Sequence, residues 1–314
     1  MKKRLNKKII AFLTALIIIA GTFSGFQVTA GDYIYVDDDA NGTMDGSSDH
    51  PYDEIQDAID KAEKKEKDVK IRKGTYRENI RIWKGIEVNG SDKDEVFIIA
   101  DDDETAVVKM YYDSALRKVT VRDGEVGIEV REGAKALIND CKIKDNDEDG
   151  IRIKGADVDH KKEVIVINST IENNDWTGIY MENRKFKIED NVILNNGKDG
   201  IDLDRDSEGS VRDNQIKDND GVGLKVNVDG AEVYIKKNTF RNNDRDGIEV
   251  RTKGERGFVQ IEKNKLYKND RWGIARVARQ AFSDDDWFSS LKIIGDNIYW
   301  ENDYGNVAPV YNAF

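Results

Sequence analysis

From about Gly127 onward, apolar residues come in short clusters separated by Asn and Gly, and the clusters return in threes. One unit reads loosely V-x-I-x-x-N-x-I-x-x-N-x-x-x-G-I-x-V. Apolar and polar positions alternate inside a cluster, the period of a strand and not the 3.6 of a helix. Asn146, Asn174, Asn196, Asn219, Asn243, Asn269 and Asn302 mark equivalent places at intervals of 28, 22, 23, 24, 26 and 33 residues. That interval is one solenoid coil, with insertions in the longer ones. A single coil cannot bury its own apolar face, so the pattern predicts a stack of three-stranded coils.

Stacked coils pair parallel, with strands roughly 4.8 Å apart, so each repeat position becomes a column. The innermost reads Ile151, Ile179, Ile201, Leu224, Ile248 and Ile274. A Gly precedes each of them, where the backbone is expected to need a conformation other residues resist. A second column reads Cys141, Ser169, Asn191, Asn214, Asn238, Asn264 and Asn297. Stacked amides can bond to the coils above and below and to the turn itself, so these Asn read as structural. Cys141 takes one rung of that column as a buried small residue.

This repeat resembles the right-handed parallel β-helix, or pectate-lyase-like, superfamily over most of residues 33–302. The resemblance implies an all-β, right-handed parallel β-helix solenoid, and it constrains function weakly because one architecture hosts many activities. The opening YVDDD…DGSSDHPYDEIQDAID, continuing into VKIRKGTYRENI, looks like the start of many secreted β-helix proteins, polysaccharide lyases among them. Asp53 and Gln56 have capping-box spacing, and Ile55, Ala58, Ile59 and Ala62 form one stripe. A short helix covering the open end of the solenoid is expected there.

The domain reading is a signal peptide over 1–30, an N-terminal strand, turn and capping helix over 31–68, coils over 69–306 and a tail over 307–314. Basic MKKRLNKKII leads into the apolar run Ile9 to Ala20, and Val28-Thr29-Ala30 supplies a small-residue cleavage site. Export to the cell surface or medium follows, with an uncleaved anchor as the alternative and no stable membrane insertion once the leader is cut. Removing its five basic residues from a net charge of −12 leaves −17. Nucleic acid is a poor partner at that charge, whereas divalent cations are plausible ones. One Cys excludes an internal disulfide framework. With two His, one Cys and four Met, soft-metal handling lacks ligands.

Candidate chemistry lies beside the G-I-x-V strand. Its outward column reads Glu129, Arg152, Tyr180, Asp202, Lys225, Glu249 and Ala275; two residues on it reads Arg131, Lys154, Glu182, Asp204, Asn227, Arg251 and Val277. Insertions at 155–163, 252–257 and 277–290 border this face. Glu182, Asp199, Asp202 and Asp204 form an oxygen-only set suited to calcium, and a Lys225 of lowered pKa could act as base with Arg251 stabilising developing charge. That would be β-elimination on a uronate sugar. The set resembles a pectate lyase family with D-G-x-D feeding calcium and a Lys base in G-x-K, matched by Asp199-Gly200-Ile201-Asp202 and Gly223-Leu224-Lys225. Lys198 and Thr177 stand where that family has acids, and Lys225 comes a coil early. Ion pairing between coils explains the same charges without a site. Trp176, Tyr180, Trp272 and Trp287 are candidate sugar-stacking surfaces, or covers over coil junctions. Asp37, Asp39, Asn41 and Gly42 match half of a calcium loop, with Ser48 at the twelfth position, or a plain turn. The two function classes left open are a carbohydrate-binding surface protein and a calcium-assisted polysaccharide lyase. Either takes a polysaccharide or surface glycan as partner and is expected to act as a monomer.

Overall fold

The computed structural model describes residues 33–83, 85–155, 162–228, 230–252, 257–278, 291–293, 295–309 and 311–312. The leader, Trp287 and most of the insertions at 155–163, 252–257 and 277–290 lie outside the described residues. Every coil contributes one strand to each of three parallel sheets. The first sheet runs from Tyr33–Val36 to Leu291–Ile293, the second from Gly74–Arg77 to Ile298–Trp300. The third begins at Ile80–Ile82 and includes Ile179–Glu182, Ile201–Asp204, Leu224–Val228 and Ile248–Thr252. This is the right-handed parallel β-helix that the repeat predicts.

Register follows the columns. Ile128, Ile151, Ile179, Ile201, Leu224, Ile248 and Ile274 pair in succession, and all are fully buried. Each such side chain is worth roughly 1.5–3 kcal/mol over exposure, so the stack supplies what one coil lacks. The Asn columns are continuous ladders. From Asn146 to Asn302 each side-chain N–H donates to the next Asn Oδ1 at 2.7–3.0 Å. From Asn191 to Asn297 the same bonds measure 3.0–3.1 Å. Cys141 sits in place at the N-terminal end of that ladder, buried, its thiol pushed up to about 12 by burial.

The turn glycines have a different cause from the one expected. Gly150, Gly178, Gly200 and Gly223 do not carry the left-handed φ; a Cβ on Gly200 would meet Gly223 O at 2.7 Å, Ile216 Cγ2 at 2.7 Å and Asn219 Nδ2 at 3.0 Å. Crowding against the ladder excludes a side chain. The left-handed residue is instead the one before each ladder Asn, such as Asn195 (φ 54°), Asp218 (φ 57°) and Asn242 (φ 52°). Asn and Asp tolerate that region best after Gly.

The helix spans Ile55–Lys65 and buries Ile55, Ala58, Ile59 and Ala62 against the first strands of the first and third sheets. The Asp53/Gln56 capping box does not form: the N-cap is Glu54, with no side-chain cap. Glu78, from the next coil, accepts the Ile55 and Gln56 N–H groups at 2.7 and 2.8 Å. A carboxylate at the positive end of the helix replaces the local cap. Tyr33–Val36 pairs in register with Asp68–Ile71, so coil pairing begins ahead of residue 69. Gly305–Val307 and Tyr311–Asn312 pair with Trp272–Ala278, so the tail extends the third sheet. Among the described residues no helix is long and apolar enough to cross a membrane.

Candidate functional site on the third sheet

The column from Glu129 through Arg152, Tyr180, Asp202 and Lys225 to Glu249 is in register along the third sheet. It is far from a solvated face, because Glu129, Asp202 and Glu249 are buried. Asp149, Asp199 and Asp246 stand in the preceding turn on alternate coils. Each accepts, on Oδ1, the N–H of the equivalent residue one coil on: Thr177 at 3.1 Å, Val222 at 2.8 Å and Trp272 at 3.0 Å. The second oxygens of Asp149 and Asp199 bind the strand cations Arg152 and Lys225, whereas that of Asp246 lies 3.8 Å from Arg271 in the turn.

Lys225 donates to Asp199 Oδ2 at 2.8 Å and pairs with Asp202 across the coil boundary. Burial pushes the Asp202 carboxyl up to about 6 against the pull of Lys225. For Lys225, burial favours the neutral amine, but Asp202 and Asp199 outweigh it and hold the pKa above the usual lysine value. The expected base of lowered pKa is therefore corrected: this ammonium is locked between two carboxylates. Arg251 is bound to Glu249, whose other oxygen lies 3.7 Å from Arg245. Asp204 accepts from Asn227 Nδ2 at 2.7 Å, and Glu182 accepts from the Tyr180 hydroxyl at 2.5 Å.

Trp176 borders a cleft of about 470 Å³ that also takes in Arg152, Tyr180, Lys198, Asp202 and Lys225. The Lys198 ammonium lies 3.5 Å from the Trp176 ring centre, and the Arg152 guanidinium 5.9 Å from it. A second cavity of about 500 Å³ shares Lys154 and Glu182 with the first and adds Arg131, Glu132 and Arg205. Trp272 is not part of either. It stands four coils beyond Thr177 in the turn column, ~19 Å along the axis, edge-on to Tyr304 at 6.0 Å.

Among the paired charges of this face, the most exposed are cations. The side chains of Asp149, Asp199 and Asp202 are 5%, 13% and 12% exposed, whereas those of Arg131, Lys154 and Arg205 are 46%, 40% and 71% exposed. Arg152 and Lys225, 15% and 17% exposed, lie nearly as deep as these acids, so a paired layer lies against the sheet with Arg131, Lys154 and Arg205 standing over it.

The model of the right-handed β-helix region matches residues 106–270, just over half of the 314. The chain belongs to the right-handed β-helix family. By sequence, no curated protein matches it. Among solved structures, this β-helix is similar to the pectate lyase Pel9A, at 16% identity and a TM-score of 0.63 over 88% of this chain and 81% of that one. The A-module of the mannuronan C-5 epimerase AlgE6 from Azotobacter vinelandii gives 16% identity and 0.62 over 82% of this chain and 74% of the module. The Dettilon tailspike protein gives 14% and 0.56 over 88% and 68%. Such identities show a shared fold.

Calcium requires several oxygens converging on one point. In this β-helix Glu182, Asp199, Asp202 and Asp204, expected as one set, divide among Tyr180, Lys225 and Asn227, and an ammonium stands between two of them. Among the described residues, the acids whose ligand atoms gather within 4.8 Å are Asp37, Asp38 and Asp39. There Asp37 pairs with Arg72 at 2.9 Å and Asp38 accepts the Thr75 N–H at 2.7 Å. Arg72 also donates to the Ser48 carbonyl at 2.6 Å, so a cation of the chain closes that loop. The residues at the cleft do not fit calcium.

Sequence reasoning missed Lys198 and Arg205 as site residues, and it missed Arg184. Arg184 is fully buried, held down to about 10 by burial, and donates to the carbonyls of Arg131 at 3.2 Å, Lys154 at 3.1 Å and Lys162 at 3.3 Å. It fixes the backbone that carries two of the projecting cations. Its only sequence signal is position: it follows the G-I-x-V strand, at the rung where the next two coils place Ser207 and Ala231.

Proposed function

We propose that this protein binds an acidic polysaccharide outside the cytoplasm, along the third sheet, in the cleft between Trp176 and Lys225. One observation carries the reading: Asp149, Asp199 and Asp202 are sunk and paired, while Lys154 and Lys198 line the cleft with Trp176 and Tyr180 and Arg131 and Arg205 project in the adjoining cavity. Across the two cavities six cations balance six acids, so in a chain of net charge −12 this face is locally neutral and its most exposed paired charges are cations. A flat indole face and hydrogen-bond donors are what a sugar ring with a carboxylate needs, the ring stacking and the cations orienting the anion. Likeness in fold to a pectate lyase and to a mannuronan epimerase supports a polymer of uronate sugars as the ligand.

Binding is favoured over elimination. Lys225 is protonated and doubly paired, so it offers no base, and the acids around it do not converge to hold calcium. Isothermal titration with mannuronan, pectate and a neutral glucan tests this directly. The two uronate polymers bind, Trp176→Ala weakens both, and no unsaturated product absorbs in the ultraviolet. Equal binding of the neutral glucan would remove the charge argument. Unsaturated product lost in Lys225→Ala would restore the lyase reading.

A further inference from the structure

The cation column of the third sheet continues beyond the cleft toward the N-terminal end, and it ends in aromatics. Ile82, Met110, Val130, Ile153 and Met181 are successive register partners. The residues one step on are Trp83, Tyr111, Arg131, Lys154 and Glu182, and the N–H groups of Tyr111, Arg131 and Lys154 each donate to the coil before. Trp83 and Tyr111 stack on adjacent coils with ring centres 3.9 Å apart and planes 16° from parallel. The Arg131 guanidinium lies 5.7 Å from the Tyr111 ring centre.

This stack does not serve the core. Trp83 is 42% exposed, and the neighbouring Tyr112 is more so. Its place is nevertheless fixed: the Trp83 N–H donates to Glu63 of the helix at 2.7 Å. Arg184 holds the carbonyls of Arg131 and Lys154 from beneath. A pre-positioned aromatic pair, its tryptophan exposed and its tyrosine half-buried, in line with projecting cations is arranged as a surface for a ligand, not as a junction cover.

We infer that the Trp83–Tyr111 stack is a second sugar-contacting platform and that the ligand is an extended acidic oligosaccharide spanning from it to the Lys225 rung. This rests on the cleft reading above and deepens it by fixing ligand length and direction. Trp83 to Glu182 is four rungs, and Lys225 lies two rungs further. Six rungs are ~29 Å, which about seven sugar units cover if each advances by about one rung. The chain lies along the solenoid axis, over Arg131 and Lys154.

The test uses size-fractionated oligogalacturonates and oligomannuronates with the purified full chain. Fluorescence titration compares trimer with octamer for the wild type, Trp83→Ala, Trp83→Phe and Tyr111→Ser. One aromatic contact is worth roughly two- to twelvefold in affinity, and joining it to the cleft through one chain compounds the gain. The octamer therefore binds at least roughly tenfold tighter than the trimer. In Trp83→Ala and Tyr111→Ser the octamer-to-trimer ratio falls toward one, and Trp83→Phe restores most of it. An octamer no tighter than the trimer, or a ratio untouched by both variants, overturns the platform and leaves the cleft standing. Failure of every oligomer at every length overturns both.

Discussion

Replacing Lys225 by Met keeps the volume of the side chain and removes the charge between Asp199 and Asp202. Both carboxylates are largely buried, and Asp202 Oδ1 is a buried atom without a hydrogen-bond partner, so Lys225 is the main counter-charge of this carboxyl. Removing one partner of such a pair costs about 3–5 kcal/mol; with Lys225 17% exposed at the cleft wall, the lower end applies. The pH dependence identifies the cause. Asp202 titrates from an ordinary 3.8 up to about 6 in the folded protein, so its contribution to stability is present in full below ~4 and is lost as pH rises through about 6. Two units correspond to roughly 3 kcal/mol. Lys225 restrains that loss, and without it the carboxyl moves higher still. Urea denaturation across pH 4 to 8 should show Lys225→Met close to wild type at the acid end and about 3 kcal/mol weaker at pH 8. Lys225→Met combined with Asp202→Asn should recover most of the difference. A deficit of equal size at both ends would mean that packing, and not charge, sets the cost, and would refute the argument.

Asp246 is also pushed up to about 6 by burial, so the wild type itself should gain stability as pH falls from 8 to 5, measured by melting temperature. Asn219→Ala leaves the Asn196 amide and N–H, at 2.9 and 3.1 Å, without an acceptor. At about 1–3 kcal/mol per orphaned group, hydrogen exchange should quicken in the coils on either side. Gly200→Ala should destabilise strongly through its clash with the next coil, whereas Gly295→Ala, with nothing within 4 Å, should leave the melting temperature unchanged. Affinity for pectate should fall with added salt, since projecting charges are screened, and rise below about pH 6 as Asp202 neutralises; calcium should alter neither the cleft's affinity nor the melting temperature.

The fold was legible because a stack turns spacing into geometry. Asn at equivalent repeat positions satisfies its amide on the neighbouring rungs and on the carbonyls of its own turn, so reading the columns gave the ladders residue by residue. The Gly column was found equally well but assigned the wrong cause. A Gly required for left-handed φ and a Gly required for lack of a Cβ look the same in sequence, and the distinction rests on where the Asn219 amide and the Gly223 carbonyl lie. The helix cap failed for a related reason: Glu78 is 23 residues from Ile55, beyond the reach of a local motif.

The site was legible in membership but not in depth. Repeat alignment placed Asp199, Asp202, Asp204 and Lys225 on neighbouring coils, where Asp199, Asp202 and Lys225 do meet. It could not say which sign would face outward, because a short Asp in a turn and a long Lys on a strand occupy columns that look equivalent in sequence. Side-chain length decides it. Asp199 has one methylene and is drawn to the Val222 N–H at 2.8 Å, while Lys154 and Arg131 carry their charge beyond four and three methylenes and clear the sheet. Two of the acids that suggest a calcium site in sequence, Asp199 and Asp202, thereby become the largely buried counter-charges of Lys225. The strand cations nearest the turn Asp, Arg152 and Lys225, are largely buried with them, so it is the column two residues further along the strand, with Arg131 and Lys154, that decides which charge reaches solvent.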